Sequence, residues 1–240
     1  MPDYPNKQTL SGIFRRIYLA ASFLFILVGS LSAQNFNIAG KVRCYNSKEN
    51  ISAKVTLEKQ PNANLTFVSR SGTDGYSVTI ARPGIYLLKA SLNGYLPQFH
   101  EINLDHDSLK DKGNLSYDFF LVPFSLDQIL PFRNILFDPS SSAIAPMALP
   151  ELNMLNEILK ENSNLIIRLE GHTDNQGKSR SSTSLAKRRI KSVRKFLTSK
   201  GINPDRIMLK AFGGGNPLFK NGTPESHQAN RRVEIRIIGM

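Results

Sequence analysis

Residues 164–201 read NLIIRLEGHTDNQGKSRSSTSLAKRRIKSVRKFLTSKG, and this stretch decides the fold of the second half. It opens on a predicted strand, Leu165 to Gly171, and crosses a polar loop. It continues as a helix predicted over Ser184 to Lys200, stopped by Gly201 and followed by Pro204. At about 100° per residue, Leu185, Phe196, Val193, Ala186, Leu197 and Ile190 share one arc of roughly 140°. Lys187, Arg188, Lys191, Arg194 and Lys195 fall outside that arc and read mostly as a solvated face that can still concentrate an anionic polymer. Arg189 breaks the pattern, falling inside the apolar arc between Phe196 and Val193. A guanidinium there has to be paired or reach an opening, because an unpaired buried charge costs several kcal/mol. Helix geometry alone leaves two roles open. Arg189 answers an internal carboxylate (Asp138, Asp174 or Glu170), or it offers a forked donor to the carboxylate of a ligand.

The loop ahead of the helix favours a ligand. Gly171-His172-Thr173-Asp174-Asn175-Gln176-Gly177 leaves a strand end, where backbone N–H groups can meet an anion. Asp174 supplies a carboxylate able to take an ammonium. An acid on a loop and an arginine on the helix can grip a zwitterion from both ends.

Outward from this stretch, helix and strand alternate. Ile135-Leu136-Phe137 reads as a strand. Pro150 suits a first helical turn, and Leu152, Leu155, Ile158 and Leu159 follow at helical spacing to about Asn162. Ile207 to Leu209 and Val233 to Ile237 supply two more strands. The order β-α-β-α-β-β predicts an α+β domain over 123–240 with its helices packed on one sheet face.

GHTDNQG, LAKRRIKSVRKFL, GINPDRI, FGGGNP and ANRRVEIRI occur here in one order. That order resembles the OmpA-like (OmpA/MotB) peptidoglycan-binding domain, over about 130–238. The resemblance implies non-covalent binding of peptidoglycan through the zwitterionic diaminopimelate of the stem peptide. By position Asp174 matches the family's acid for the ammonium, Arg189 its arginine for the carboxylate, and Arg231 a further arginine lining the site. Thr173, Ser182 and Ser140 complete the implied ligand-binding set. Four positions depart from the family pattern: Ser182 replaces a usual Asn, Ala186 a usual Ser, Ile190 a small residue, and Ser140 a common strand-end Asn. Each lost hydrogen bond weakens binding by about 0.5–1.5 kcal/mol.

Residues 34–122 carry a different period. Short apolar or alternating runs (Phe36-Ile38 with Val42, Val55-Leu57, Leu65-Phe67, Tyr76-Ile80, Tyr86-Ala90, Ile102-Leu104 and Tyr117-Leu121) are separated by turn formers. About seven strands without a helix predict an all-β antiparallel sandwich. Its Gly40-Lys41-Val42, TDGYSVTI and PGIYLLKASLNGY strings resemble carboxypeptidase-regulatory-like, transthyretin-like modules, which implies a structural or adhesive spacer. Pro123, Pro131, Pro139 and Pro146 punctuate the passage between the halves, with the boundary expected near 123.

The chain has 240 residues, 31 Lys plus Arg against 19 Asp plus Glu, and a net charge of +12. That balance points to an anionic partner. Counted along the sequence, 34–122 holds ten cations against eight anions and 123–240 eighteen against ten, so most of the excess lies in the second half. Arg15 and Arg16, the apolar run from Ile17 to Val28 and the small residues to Ala33 read as a secretory signal over 1–33. The twelve-residue run rises about 18 Å, short of the ~30 Å hydrocarbon core. Export follows, which argues against a nucleic-acid partner, and the OmpA-like resemblance implies residence in the periplasm in association with the outer membrane.

The single cysteine, Cys44, excludes a disulfide framework. No nucleophile–base pair is legible, so the chain reads as a binding protein and not an enzyme. No cofactor or metal is called for: His100 and His106 lack ligand spacing, and His172 beside Asp174 lacks a third ligand. Two functions compete. One is tethering of the envelope to peptidoglycan; the other is an adaptor whose sandwich recruits another outer-membrane or periplasmic protein while the OmpA-like domain is mainly structural.

Overall fold

The structure is a computed structural model that describes residues 35–61, 64–81, 83–104, 113–132, 135, 137–174, 180–220 and 222–240. The signal expected over 1–33 lies outside these residues, as do Leu136 and His106. Among the described residues no helix is long and apolar enough to cross a membrane.

The first part is built of β1 (Phe36–Gly40), β2 (Val42–Cys44), β3 (Lys54–Lys59), β4 (Asn64–Arg70), β5 (Tyr76–Ile80), β6 (Ile85–Ser91), β7 (Tyr95–Leu96), β8 (Gln98–Asn103), β9 (Asn114–Ser116) and β10 (Phe119–Pro123). They form three sheets, ordered β5-β1-β9, β2-β10-β7 and β4-β3-β6-β8. Tyr76, Val78 and Ile80 alternate inward along β5, and Tyr86, Leu88 and Ala90 along β6. Together with Ile38, Leu57 and Phe119 they close one core.

Two pairings correct the antiparallel expectation: β1 runs parallel to β9 and β2 parallel to β10. The first and last strands of this part lie side by side, and both break at the same level, at Lys41 and at Tyr117-Asp118. The backbone groups at the break find partners. Lys41 N–H donates to Asp118 Oδ1 at 2.7 Å, and the Tyr76 hydroxyl donates to the Tyr117 carbonyl at 2.6 Å. A Cβ at Gly40 would collide with that carbonyl, so the crossing requires glycine.

The second part contains α1 (Leu149–Glu161), β11 (Ile166–His172), α2 (Arg180–Ser199), β12 (Ile207–Gly213), α3 (Pro224–Asn230) and β13 (Val233–Gly239). Strand β11 is central, parallel to β12 and antiparallel to β13. Ile135 and Phe137, expected in a strand, are not assigned to one. They still bond along the outer edge of β13, with Val233 N–H donating to the Ile135 carbonyl and Phe137 N–H to the Arg231 carbonyl. Leu152, Leu155, Ile158 and Leu159 of α1 pack with Ile190, Val193 and Leu197 of α2 against Ile167, Leu169, Ile235 and Ile237.

Helix α2 ends as its sequence dictates. Gly201 takes φ 95°, its N–H donates to Thr198, and Ile202 N–H reaches back to Leu197 at 3.2 Å while its side chain buries. Helix α1 stops at Asn162, whose Nδ2 donates to the Ile158 carbonyl and whose Oδ1 accepts from Gly94 N–H at 2.7 Å. Lys89 of β6 reaches Glu157 of α1 at 2.9 Å. The short α3 was absent from the sequence reading. Thr223 caps it and Pro224 opens it, but seven residues are too few to display a helical period.

Candidate ligand-binding site

The site gathers where β11 ends and α2 begins. Gly171 permits this contact: a Cβ there would stand 2.8 Å from the Ala186 carbonyl and from Ile190 Cγ2. Helix and strand therefore touch backbone to backbone, with Arg189 one helical position short of Ile190. Arg189 is 0% exposed. Its Nε donates to the Ser141 carbonyl at 2.9 Å, Nη2 to the Asp138 carbonyl at 2.9 Å, and Nη1 to the His172 carbonyl at 3.4 Å. The guanidinium also stands 5.1 Å from the Phe137 ring centroid.

Neither sequence alternative anticipated these partners. Among the described residues every hydrogen bond from Arg189 ends on a backbone carbonyl, and Asp138 contributes its carbonyl and not its carboxylate. Three of the five guanidinium N–H bonds are so used. Burial pulls the Arg189 pKa down to about 10; Asp174 works against this, and Arg231 and Arg188 add to it. The group stays charged at neutral pH, with partial charges as its nearest compensation.

Asp174, expected as the acid for the ammonium, and Arg231, expected as a further arginine lining the site, form an ion pair. Arg231 Nη1 stands 3.0 Å from Asp174 Oδ2, and its Nε donates to the Phe137 carbonyl at 3.2 Å. Thr173 is 1% exposed; its N–H donates to the Gly213 carbonyl at 2.9 Å. The Thr173 hydroxyl oxygen is buried with no hydrogen-bond partner among the described residues. Ser182, buried in the first turn of α2, packs on Gly213, where a Cβ would meet its Oγ at 2.9 Å. Gly213 takes φ 59° in this tight approach.

Ser140 lies exposed in the turn that carries the Asp138 and Ser141 carbonyls, at φ 58°. That conformation suits Asn better than Ser. All six residues named from sequence therefore border one region. Ser140 reaches it only through the turn it shapes; the sequence pattern offers Asp138 for its carboxylate and not its carbonyl, and carries no signal for Phe137 and Ser141 as site residues.

A second constellation occupies the opposite face of β11. Glu170, 2% exposed, accepts from Arg168 at 2.7 Å and from Arg236 at 2.9 Å. Burial works against its ionisation, but the bonds from Arg236 and Arg168 outweigh it and hold the carboxyl below its usual range. Glu234 pairs with Arg232 at 2.7 Å. His172 stacks on Phe212 at 5.1 Å, and burial, followed by the nearby Arg232 charge, pushes its pKa down to about 4.

Glu170, His172 and Glu234 place ligand atoms within 4.8 Å of one another, a group that leaves out Asp174 and draws one member from across the sheet. Three arginines already hold the two carboxylates, and a divalent cation would add charge to a cluster that is net positive. We read it as an internal ion-pair network.

Residues 136–231 match the OmpA family, and the chain carries an OmpA-family domain over that span. The chain is similar to the peptidoglycan-associated lipoprotein of Pseudomonas putida, 34% identical over 100 residues, covering 42% of this chain and 60% of that protein. It is also similar to outer membrane protein A of Bordetella avium, 45% identical over 69 residues, covering 29% of this chain and 36% of that one. Against the peptidoglycan-binding protein ArfA of Mycobacterium bovis it is 33% identical over 101 residues, covering 42% of this chain and 31% of that one. The chain thus spans 60% or less of the length of these relatives. Among solved structures, the peptidoglycan-associated lipoprotein from Burkholderia pseudomallei aligns with a TM-score of 0.40 at 22% identity, covering 44% of this chain and 88% of that one.

Proposed function

We propose that the protein binds peptidoglycan without covalent chemistry, by clamping the diaminopimelate of the stem peptide between Asp174 and Arg189, and so tethers the cell envelope to the wall. The observation that carries this reading is Arg189. A guanidinium with no exposed surface, hydrogen-bonded only to carbonyls among the described residues, stands beside a half-buried acid on the neighbouring loop. The names of the Pseudomonas and Mycobacterium relatives associate those proteins with peptidoglycan.

In the clamp, the guest carboxylate replaces the weakest of the three carbonyl bonds, that of Arg189 Nη1 to His172 at 3.4 Å. An ionised acceptor on a buried guanidinium makes a stronger bond than a carbonyl. The guest ammonium takes Asp174 and shares it with Arg231. Thr173 offers a hydroxyl that lacks a partner among the described residues, while Ser182 and the Ser140 turn bound the cleft. The β part, in this reading a sandwich over 34–122, acts as a spacer ahead of a binding domain over 123–240. The mature protein resides in the periplasm, associated with the outer membrane, after removal of 1–33.

Co-sedimentation with purified peptidoglycan tests the reading. The wild-type chain is expected to pellet, Asp174→Ala and Arg189→Ala to stay in solution, and no muropeptide to be released. One observation favours the alternative adaptor: the Arg189 fork is already occupied by carbonyls, as a structural arginine would be. Retention of both variants at the wild-type level in about 1 M salt, where surface charge is screened, would select that adaptor reading, and release of soluble fragments would point to a hydrolase.

A further inference from the structure

We propose that the outward face of α2 is a second contact for the wall polymer, an electrostatic track for the regularly spaced carboxylates of peptidoglycan beyond the one held in the clamp. It rests on the peptidoglycan reading above. The twenty residues of α2 contain no acid. Arg180, Lys187, Arg188, Lys191, Arg194 and Lys195 fall in one arc of about 120°, with only Ser184 and Thr198 between them. Five of the six are exposed and Arg194 is partly so. Among the described residues none of the six stands in an ion pair. Arg188 donates to the Ser184 hydroxyl and Arg194 to the Pro204 carbonyl. The arginines of the sheet behave differently, since Arg168, Arg231, Arg232 and Arg236 each meet a carboxylate. Other cations without a carboxylate partner among the described residues, such as Arg206 and Lys210, stand singly, whereas on this helix six share one face.

The arrangement works against the helix itself. Lys187, Lys191 and Lys195 repeat at four-residue spacing, with Arg188 and Arg194 three residues either side of Lys191, and like charges so placed repel. An anionic partner relieves that repulsion. A bilayer is a poor fit, because the apolar arc of α2 is buried in the core and the cationic face offers nothing to insert. The track is narrow and about 22 Å long from Arg180 to Lys195, at 1.5 Å per residue. Those proportions suit an extended polyanion. It also begins at the clamp: Ser182, in the same first turn, packs on Gly213, which bonds Thr173.

The test compares the full chain with the variant Lys187→Glu/Lys191→Glu/Lys195→Glu, on purified sacculi and on a soluble stem peptide containing diaminopimelate. Raising salt from about 0.01 M to about 1 M shortens the screening length from about 30 to about 3 Å. Wild-type retention on sacculi is expected to fall at least about ten-fold across that range. The triple variant should start at the wild type's high-salt level yet bind the soluble peptide within about two-fold of wild type, a difference below 0.5 kcal/mol (about 0.4).

Retention of the triple variant at the wild-type low-salt level overturns the proposal, as does salt-independent wild-type retention. Tighter capture of the wild type by phosphatidylglycerol vesicles than by sacculi also overturns it, in favour of a lipid surface. If neither protein binds the soluble peptide, the clamp fails. Salt-sensitive retention that depends on the three lysines, seen also with Arg189→Ala, would still support the track.

Discussion

Asp174 Oδ2 and Arg231 Nη1 lie 3.0 Å apart, so the acid assigned to a ligand's ammonium already holds an internal cation. The pair is only partly shielded, with 24% and 14% of the two side chains exposed. The remaining exposure lets water and a guest reach Asp174 and screens its attraction to Arg231, which makes the pair exchangeable. An arriving ammonium can therefore share Asp174 at small cost. A fully buried pair would resist it.

Asp174→Asn separates binding from folding. The substitution removes the charge and keeps the shape, so the unfolding free energy should change by less than about 1 kcal/mol. Affinity for a diaminopimelate peptide should fall by about 1.5–3 kcal/mol, the range for a hydrogen bond to a charged group. Urea melts and calorimetric titration of one preparation read both quantities. A large loss of stability with unchanged affinity would assign Asp174 a structural role.

Arg189→Ala should act on both. It removes the donor from the carbonyls of Ser141, Asp138 and His172. Water can reach the first two, so the full cost of about 1–3 kcal/mol for an unsatisfied buried acceptor falls on His172, with the loss of side-chain packing added to it. A net loss of about 2–4 kcal/mol in urea unfolding is expected, together with loss of peptide binding. Arg189→Lys keeps the charge without the planar fork, so it should recover part of the stability and little of the binding. Equal recovery of both would remove the reason for a guanidinium at this place.

Arg189 is legible in the sequence, and its partners are not. Its position in the apolar arc follows from a period of 3.6, and so does the burial of Ile190, Val193 and Leu197. Its acceptors are backbone carbonyls, which every residue possesses, and only the Asp138–Ser141 turn aims two of them inward. The parallel pairing of β1 with β9 was hidden for a related reason: alternation marks a strand but carries no direction. The Glu170–Glu234 register needs the pairing of two strands far apart in the chain. Motif glycines were the better guide, since Gly171 and Gly201 each mark a place where backbone geometry admits nothing larger or nothing else.

His172 should make the protein acid-sensitive. Its folded pKa, about 4, lies below the ordinary histidine value of 6.5, so between those values the unfolded chain holds a proton that the folded chain does not. Stability should therefore fall as pH drops from about 6.5 to about 4, and His172 adds nothing further below that window. The lowered pKa of Glu170 adds a loss at the acid end, as that carboxylate protonates and leaves Arg168 and Arg236. Urea melts at several pH values should show the slope in wild type. The slope should be much reduced above about pH 5 in His172→Phe, which keeps the stack on Phe212. An unchanged slope would move the sensitivity to other groups.

Gly171→Ala tests whether the clamp depends on the distance between strand and helix. The added methyl group would lie 2.8 Å from the Ala186 carbonyl and from Ile190 Cγ2. Neither can retreat without moving α2, because Ile190 is buried in the core and Ala186 is backbone. Overpacking of this kind costs about 1–3 kcal/mol. The displacement also carries Arg189 away from the β11 end, where His172 and Asp174 sit, so peptide affinity should drop although no ligand-binding side chain has changed. Thermal melts should show the loss of stability, and titration at a temperature where the variant is fully folded should show the loss of affinity. If the folded variant binds the peptide as tightly as wild type, the separation of Arg189 from Asp174 does not govern recognition, and the two charges act on the guest independently.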